Sequence, residues 1–95
     1  MNAFEQWLIE EQKGQYTVRN YVREVDLFSA WWQGRTGEPL TVAILNGADV
    51  RAYLADQEAT GALPATRNIK LAALRAWERW GRECGNLPAD ATPLR

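Results

Sequence analysis

Apolar side chains recur three or four positions apart along most of the chain, which is the spacing of amphipathic α-helices. The longest such stripe consists of Val18, Tyr21, Val22, Val25, Phe28 and Trp32. Shorter stripes precede and follow it, and none of them shows the strict alternation of a half-buried strand. The pattern therefore predicts four helices, at about 3–12, 17–33, 48–60 and 64–84.

Residues that start and stop helices support these bounds. Thr17 is a good N-cap for the second helix, and Asp49 is well placed in the first turn of the third. Pro64 suits the first turn of the fourth helix because its backbone angle is pre-set and it lacks an N–H. Gly14 favours an end to the first helix.

The remaining segments are predicted to be connections. Residues 34–39 form a glycine-containing loop, and the short apolar run 40–45 is expected to be a turn of helix or a buried loop. The last residues contain two prolines and no periodicity. We therefore expect one helical domain at 1–86, followed at 87–95 by the start of a linker.

The fourth helix separates its apolar and basic side chains. With Arg67 set at 0° and about 100° per residue, the arc from about 180° to 280° holds Ile69, Ala73, Ala76, Trp77, Trp80 and Cys84. The arc from 0° to about 120° holds Arg67, Asn68, Arg75, Glu78, Arg79 and Arg82. Lys70 falls near 300° and is expected to overhang solvent.

This separation makes the tryptophans core residues rather than stacking platforms for bases, because a stacking ring would have to lie among the arginines. The same reading applies to Trp7 and Trp32. Trp31 lies about 100° around the second helix from Trp32, so it is the better candidate for a contact with another domain.

Composition removes most catalytic chemistry. The 95 residues include no histidine and one cysteine, which excludes most metal sites and nucleophile–base pairs. No glycine-rich phosphate loop and no membrane-length apolar run occur. We expect no cofactor, no metal and no active site in this chain, and an intracellular, reducing location.

Charge is unevenly distributed, although the net charge is only -1. Residues 64–82 carry five basic side chains against one acidic side chain. Such a local excess attracts polyanions even when the total does not. The alternative is a solvated charged face, with Glu78 and Arg82 as an ordinary pair four residues apart.

The first turns of two helices, which we call their fronts, favour attraction of a polyanion over a solvated charged face. Free backbone N–H groups and the helix dipole attract phosphate there, while Arg and Asn side chains read guanine and adenine edges. The second helix opens with Thr17, Arg19, Asn20 and Arg23, and the fourth with Thr66, Arg67, Asn68 and Lys70.

The order and spacing of these pieces resemble a known family. The fourth helix contains the run T-x-N-x-K-L-x-A-L-R from Thr66 to Arg75, and the resemblance extends over about 3–88. The other residues that carry it are Phe4, Trp7, Leu8, Thr17, Tyr21, Phe28, Trp31, Asp49, Val50, Tyr53, Trp77 and Trp80. Together they resemble the N-terminal core-binding, SAM-like domain of tyrosine recombinases, the phage integrase and Xer-type enzymes.

The resemblance implies an all-α, four-helix orthogonal bundle that forms half of a clamp around a recombination site. Its second and fourth helices would face double-stranded DNA through Thr17, Arg19, Asn20, Arg23, Thr66, Arg67, Asn68, Lys70 and Arg75. The family's catalytic residues lie in a separate C-terminal domain, so this chain is expected to bind DNA without cutting it. Implied partners are that catalytic domain and other recombinase protomers on DNA, in the cytoplasm and at the nucleoid.

Three departures and one alternative accompany this expectation. The overall charge balance is acidic, which is unusual for a DNA clamp. Tyr16 stands where small polar residues are common in the family, and Asn86-Leu87-Pro88 replaces a frequent Asn-Pro pair. The alternative function is a small protein-interaction module without a DNA role, which would expose an apolar anchor such as Trp31 or Leu71.

Overall fold

The computed structural model describes residues 3–42 and 46–85. Within those ranges the chain forms four helices and no strand: α1 (Ala3–Glu10), α2 (Gln15–Thr36), α3 (Gly47–Ala59) and α4 (Pro64–Glu83). The predicted all-α fold with four helices is confirmed. None of these helices combines the length and the apolar composition needed to cross a bilayer.

The bounds of α2 differ from the prediction at both ends. The helix begins two residues early, with Gly14 rather than Thr17 at the N-cap position. It also continues through residues predicted to be loop and stops at Gly37, which adopts φ 78° and donates its N–H to the Gln33 carbonyl at 2.7 Å. Gly37 ends the helix because it adopts the left-handed conformation without a steric penalty.

The beginnings of α3 and α4 agree with the prediction. Asn46 caps α3, its side-chain oxygen accepting the Asp49 backbone N–H at 2.9 Å. Pro64 occupies the first turn of α4. The second half of the apolar run, residues 43–45, and the predicted linker at 87–95 lie outside the described residues.

The core is built mainly where α2 packs against α4. Tyr53 of α3 is 2% exposed and meets the ring of Phe28 edge-on, with 5.0 Å between ring centroids. Trp32 and Trp77 are buried, and Trp7, Trp31 and Trp80 pack against the core in partly buried positions. Trp7, Trp32, Trp77 and Trp80 are therefore part of the core, as predicted, whereas Trp31, predicted to be available to another domain, packs against the core as well.

The buried face of α4 is rotated from the predicted arc. Its buried residues are Lys70, Ala73, Leu74, Trp77 and Gly81, which centre near 300° rather than near 230° on the scale used above. Ile69, predicted to be buried, is 47% exposed. The buried face is rotated because α4 packs against α3 as well as α2. The predicted arc differs because it is centred on the two large tryptophan rings.

Candidate nucleic-acid interface

A groove of about 230 Å³ runs between α2 and the front of α4. From α2 it is lined by Tyr16, Asn20, Arg23, Glu24 and Leu27, and from α4 by Thr66, Ile69 and Lys70. We call it the α2–α4 groove. It brings together four of the nine residues predicted to bind DNA: Asn20, Arg23, Thr66 and Lys70.

The first turns of both helices have free backbone donors near this groove. Neither Gly14 nor Leu63, the two N-cap residues, provides a side-chain hydrogen bond, and neither first turn contains an acidic residue. The first backbone hydrogen bond of α2 runs from the Val18 N–H to the Gly14 carbonyl, and that of α4 runs from the Arg67 N–H to the Leu63 carbonyl. The amides of 15–17 and 65–66 therefore have no intrahelical acceptor, and the helix dipole adds positive potential there.

The sequence predicted that Lys70 overhangs solvent, and this prediction is wrong. Lys70 is 6% exposed, and its ammonium donates to Glu24 Oε1 at 3.0 Å and to the Tyr53 hydroxyl at 3.3 Å. Burial alone would lower the pKa of Lys70, but the hydrogen bonds and charge interactions with Glu24 and Tyr53 outweigh it and raise the pKa. Lys70 therefore lies beneath the groove as a charged side chain that joins three helices.

Tyr53 completes this buried group. Its ring centroid lies 5.6 Å from the Lys70 ammonium, a distance at which a cation is attracted to an aromatic face. Burial raises the pKa of the Tyr53 hydroxyl, while the neighbouring Lys70 opposes that shift. The phenol thus stays neutral, and it accepts one of the Lys70 hydrogen bonds.

The Arg67 guanidinium is also partly engaged by contacts within the fold. It pairs with Glu58 at 2.9 Å and ties α4 to α3, and the Arg67 side chain is 34% exposed. Its Nε is buried and forms no hydrogen bond. Only part of this side chain is thus available to an external ligand.

Most of the basic residues counted on α4 have acidic partners. Besides Arg67 and Lys70, Arg79 pairs with Glu11 and Glu83, and Arg82 pairs with Glu78. Within the described residues, Arg19, Arg23 and Arg75 form no ion pair. The positive potential available to a ligand therefore comes more from α2, and less from α4, than the sequence count indicated.

The other predicted residues lie outside the α2–α4 groove. Arg19 is exposed and lines a separate groove against α1, and Thr17 is half-buried. Asn68 and Arg75 are exposed on α4, about 160° and 180° around the helix from Thr66. They are placed to meet flanking phosphates only if a ligand extends beyond the groove.

Four residues of the groove are not among those predicted to bind DNA: Tyr16, Glu24, Leu27 and Ile69. Leu27 is 42% exposed, outside the buried stripe of α2, and Glu24 is the partner of Lys70. Leu27 follows Arg23 by four positions, which places both on one flank of the helix. That spacing was the available signal for Leu27, whereas Glu24 pairs with a residue 46 positions away.

A larger apolar cleft of about 640 Å³ lies near the far end of α4, beside Phe4, Trp77 and Trp80. Its wall includes Thr41 and Val42, immediately before the undescribed residues 43–45. It contains none of the predicted DNA-binding residues. In the described part of the chain, no group of three His, Cys, Asp or Glu side chains is placed to hold a metal ion.

Comparisons with known proteins agree with the helical architecture. Residues 1–83 match the family model of the phage integrase N-terminal SAM-like domain. A tyrosine recombinase of Synechococcus elongatus is 32% identical over 87 residues, an alignment that covers 84% of this chain and 27% of the relative. The chain thus spans about a quarter of the length of that relative. No solved structure gives a significant match.

Proposed function

This chain belongs to the phage integrase N-terminal SAM-like domain family, and from that premise we propose that it is the DNA-gripping domain of a tyrosine recombinase. In this proposal it holds the core of a recombination site with the fronts of α2 and α4. DNA cleavage belongs to a catalytic domain of the same polypeptide. Other protomers on the DNA would complete the assembly, in the cytoplasm and at the nucleoid.

The observation that carries the proposal is one groove lined by residues from the first turns of two helices that lack side-chain caps, Tyr16 of α2 and Thr66 of α4. Backbone N–H groups, the unpaired guanidinium of Arg23 and the amide of Asn20 lie on or beside this surface. Among the described residues that line it, Glu24 alone carries a carboxylate, and that carboxylate is paired with Lys70. Such a surface complements phosphate charge and presents donors to base edges.

The predicted residues then take different roles. In this proposal Asn20 binds an adenine edge, while Arg23 and Thr66 contact phosphates or a guanine. Thr17, Arg19, Asn68 and Arg75 lie outside the groove and would hold phosphates only of a duplex that extends beyond it. Arg67 and Lys70 act mainly from within, by fixing the front of α4 against α3 and α2.

The test is a fluorescence-anisotropy titration of duplex DNA at several salt concentrations. Arg23→Gln should weaken binding and reduce the salt slope by about 1, because one phosphate contact is lost. Arg51→Gln is the matched control, since Arg51 is exposed on α3 outside the groove and its replacement removes the same charge. Absence of salt-sensitive binding at micromolar wild-type protein would refute the proposal.

The alternative function is a protein-interaction module, which was expected to expose an apolar anchor such as Trp31 or Leu71. Trp31 is instead half-buried, with 5.8 Å between its ring centroid and that of Phe28, and Leu71 packs against the core. Neither is among the exposed large apolar residues of the described chain. The two anchors suggested for the alternative are therefore not exposed, and because the family membership favours DNA as the ligand we do not propose this alternative.

A further inference from the structure

The α2–α4 groove contains an apolar surface that its polar lining does not explain. Five large apolar side chains are exposed among the described residues, and three of them line this groove: Tyr16 at 77%, Leu27 at 42% and Ile69 at 47%. We call these three the groove patch. Folding gains little from large apolar groups left in water, so the clustering of three in one groove indicates a ligand with an apolar feature.

The polar neighbours of the patch limit what that ligand is. Arg23 has no ion pair within the described residues, and the Glu24 carboxylate is paired with Lys70. The groove thus keeps a positive charge beside its apolar side chains. Two helix fronts with free N–H groups adjoin it. This combination fits a polyanion that presents both apolar and hydrogen-bonding groups.

Resting on the proposed DNA function, we propose that the groove patch contacts thymine 5-methyl groups and that the groove thereby selects A·T pairs. The thymine methyl is the apolar group that the base edges present in the major groove. The adenine of the same pair offers the donor and acceptor that an Asn amide binds with two hydrogen bonds. Asn20 and Ile69 line one groove, so a single A·T pair supplies a partner to each.

The experiment begins with selection of duplexes from a random-sequence pool by the wild-type chain. The best-bound duplex is then resynthesised with deoxyuridine in place of thymidine, which removes only the methyl groups. We expect affinity to fall about fourfold for each contacted methyl, the equivalent of one buried methyl-sized group. We also expect the selected sequences to be rich in A·T pairs.

Ile69→Ala and Ile9→Ala form a matched pair of variants. Both residues are isoleucines of similar exposure, 47% and 44%, but Ile9 lies on α1 outside the groove. The deoxyuridine penalty should shrink in Ile69→Ala and persist in Ile9→Ala. Since both side chains are half exposed, both variants are expected to fold, and circular dichroism checks this.

The outcomes separate the two proposals. If the selected duplex binds and deoxyuridine has no effect, the thymine inference is wrong while DNA binding stands. A penalty that persists unchanged in both Ile69→Ala and Leu27→Ala also overturns the inference. If selection enriches no duplex at all, the proposed function itself fails.

Discussion

The front of α3 and the fronts of α2 and α4 are built in opposite ways. At α3, Asn46 accepts the Asp49 N–H at 2.9 Å, and the Asp49 carboxylate accepts from the Asn46 amide at 2.7 Å and from the Trp32 indole at 3.3 Å. At α2 and α4 the N-cap residues are Gly14 and Leu63, and neither supplies a side-chain acceptor.

Under the proposed function, this difference separates a helix end that stabilises the fold from two ends that are available to a ligand. The cap of α3 satisfies a backbone donor and places a negative charge where phosphate would otherwise bind. The absent side-chain cap at α4 costs about 1 kcal/mol of stability relative to a good cap. We infer that the two open ends are kept for an anion, and the following predictions test this contrast.

The largest expected effect concerns the buried pair that joins the two open helices. Lys70→Ala leaves the Glu24 carboxylate buried without its partner, which should lower the free energy of unfolding by about 3 kcal/mol. Chemical denaturation measures this loss. The double variant Lys70→Met, Glu24→Gln removes both charges and should be much closer to wild type. Equal stability of Lys70→Ala and wild type would contradict the structural role assigned to Lys70.

Alkaline pH should weaken the same cluster. The pKa values of Lys70 and Tyr53 are both raised in the folded chain, so the unfolded chain loses these protons first as pH rises. Their contribution to the free energy of unfolding is complete below the ordinary pKa values of about 10. It declines as pH rises through the higher pKa values of the folded chain. Denaturation midpoints should therefore fall more steeply above about pH 10 for wild type than for Tyr53→Phe. Parallel pH profiles of the two proteins would contradict this assignment.

A smaller effect should follow from giving α4 a side-chain N-cap like the one on α3. Leu63 is 69% exposed and has an extended backbone, so Asp at this position can cap the helix. Leu63→Asp should raise stability by about 1 kcal/mol and should weaken DNA binding, because it places a carboxylate beside the proposed phosphate site. Leu63→Asn should stabilise similarly with a smaller loss of binding.

The reverse change provides the control for that prediction. Asn46→Ala removes the α3 cap and should cost about 1 kcal/mol of stability without weakening DNA binding. Thermal unfolding and anisotropy titrations measure the two properties separately. If Leu63→Asp binds DNA as well as wild type does, the open front of α4 is not a phosphate site.

The fold could be predicted from the sequence because its signals are local. Helical spacing identified all four helices, and Asn46 and Pro64 marked the starts of two. Thr17 misled the prediction because a good capping residue sits in the first turn of α2, while a short connection from α1 places Gly14 at the cap. The sequence does not indicate the extension of α2 to Thr36, because Gly34 resembles a helix end, although Gly37 performs that role.

The site was less predictable because its electrostatics depend on contacts between helices. Lys70 pairs with Glu24, which lies 46 positions earlier, and Arg79 pairs with Glu11, which lies 68 positions earlier. A count along α4 therefore overestimated its free positive charge. Ile69 was assigned to the core for a related reason, since periodicity cannot show how α3 rotates the buried face of α4.

The most direct test of the central claim is a nitrogen–proton NMR titration of the labelled chain with a short duplex at low salt. Binding through the open fronts predicts that the backbone amide resonances of Tyr16, Thr17, Ala65 and Thr66 shift progressively, while those at the capped start of α3 stay in place. Shifts confined to α3, or no shifts at saturating duplex, would contradict the account.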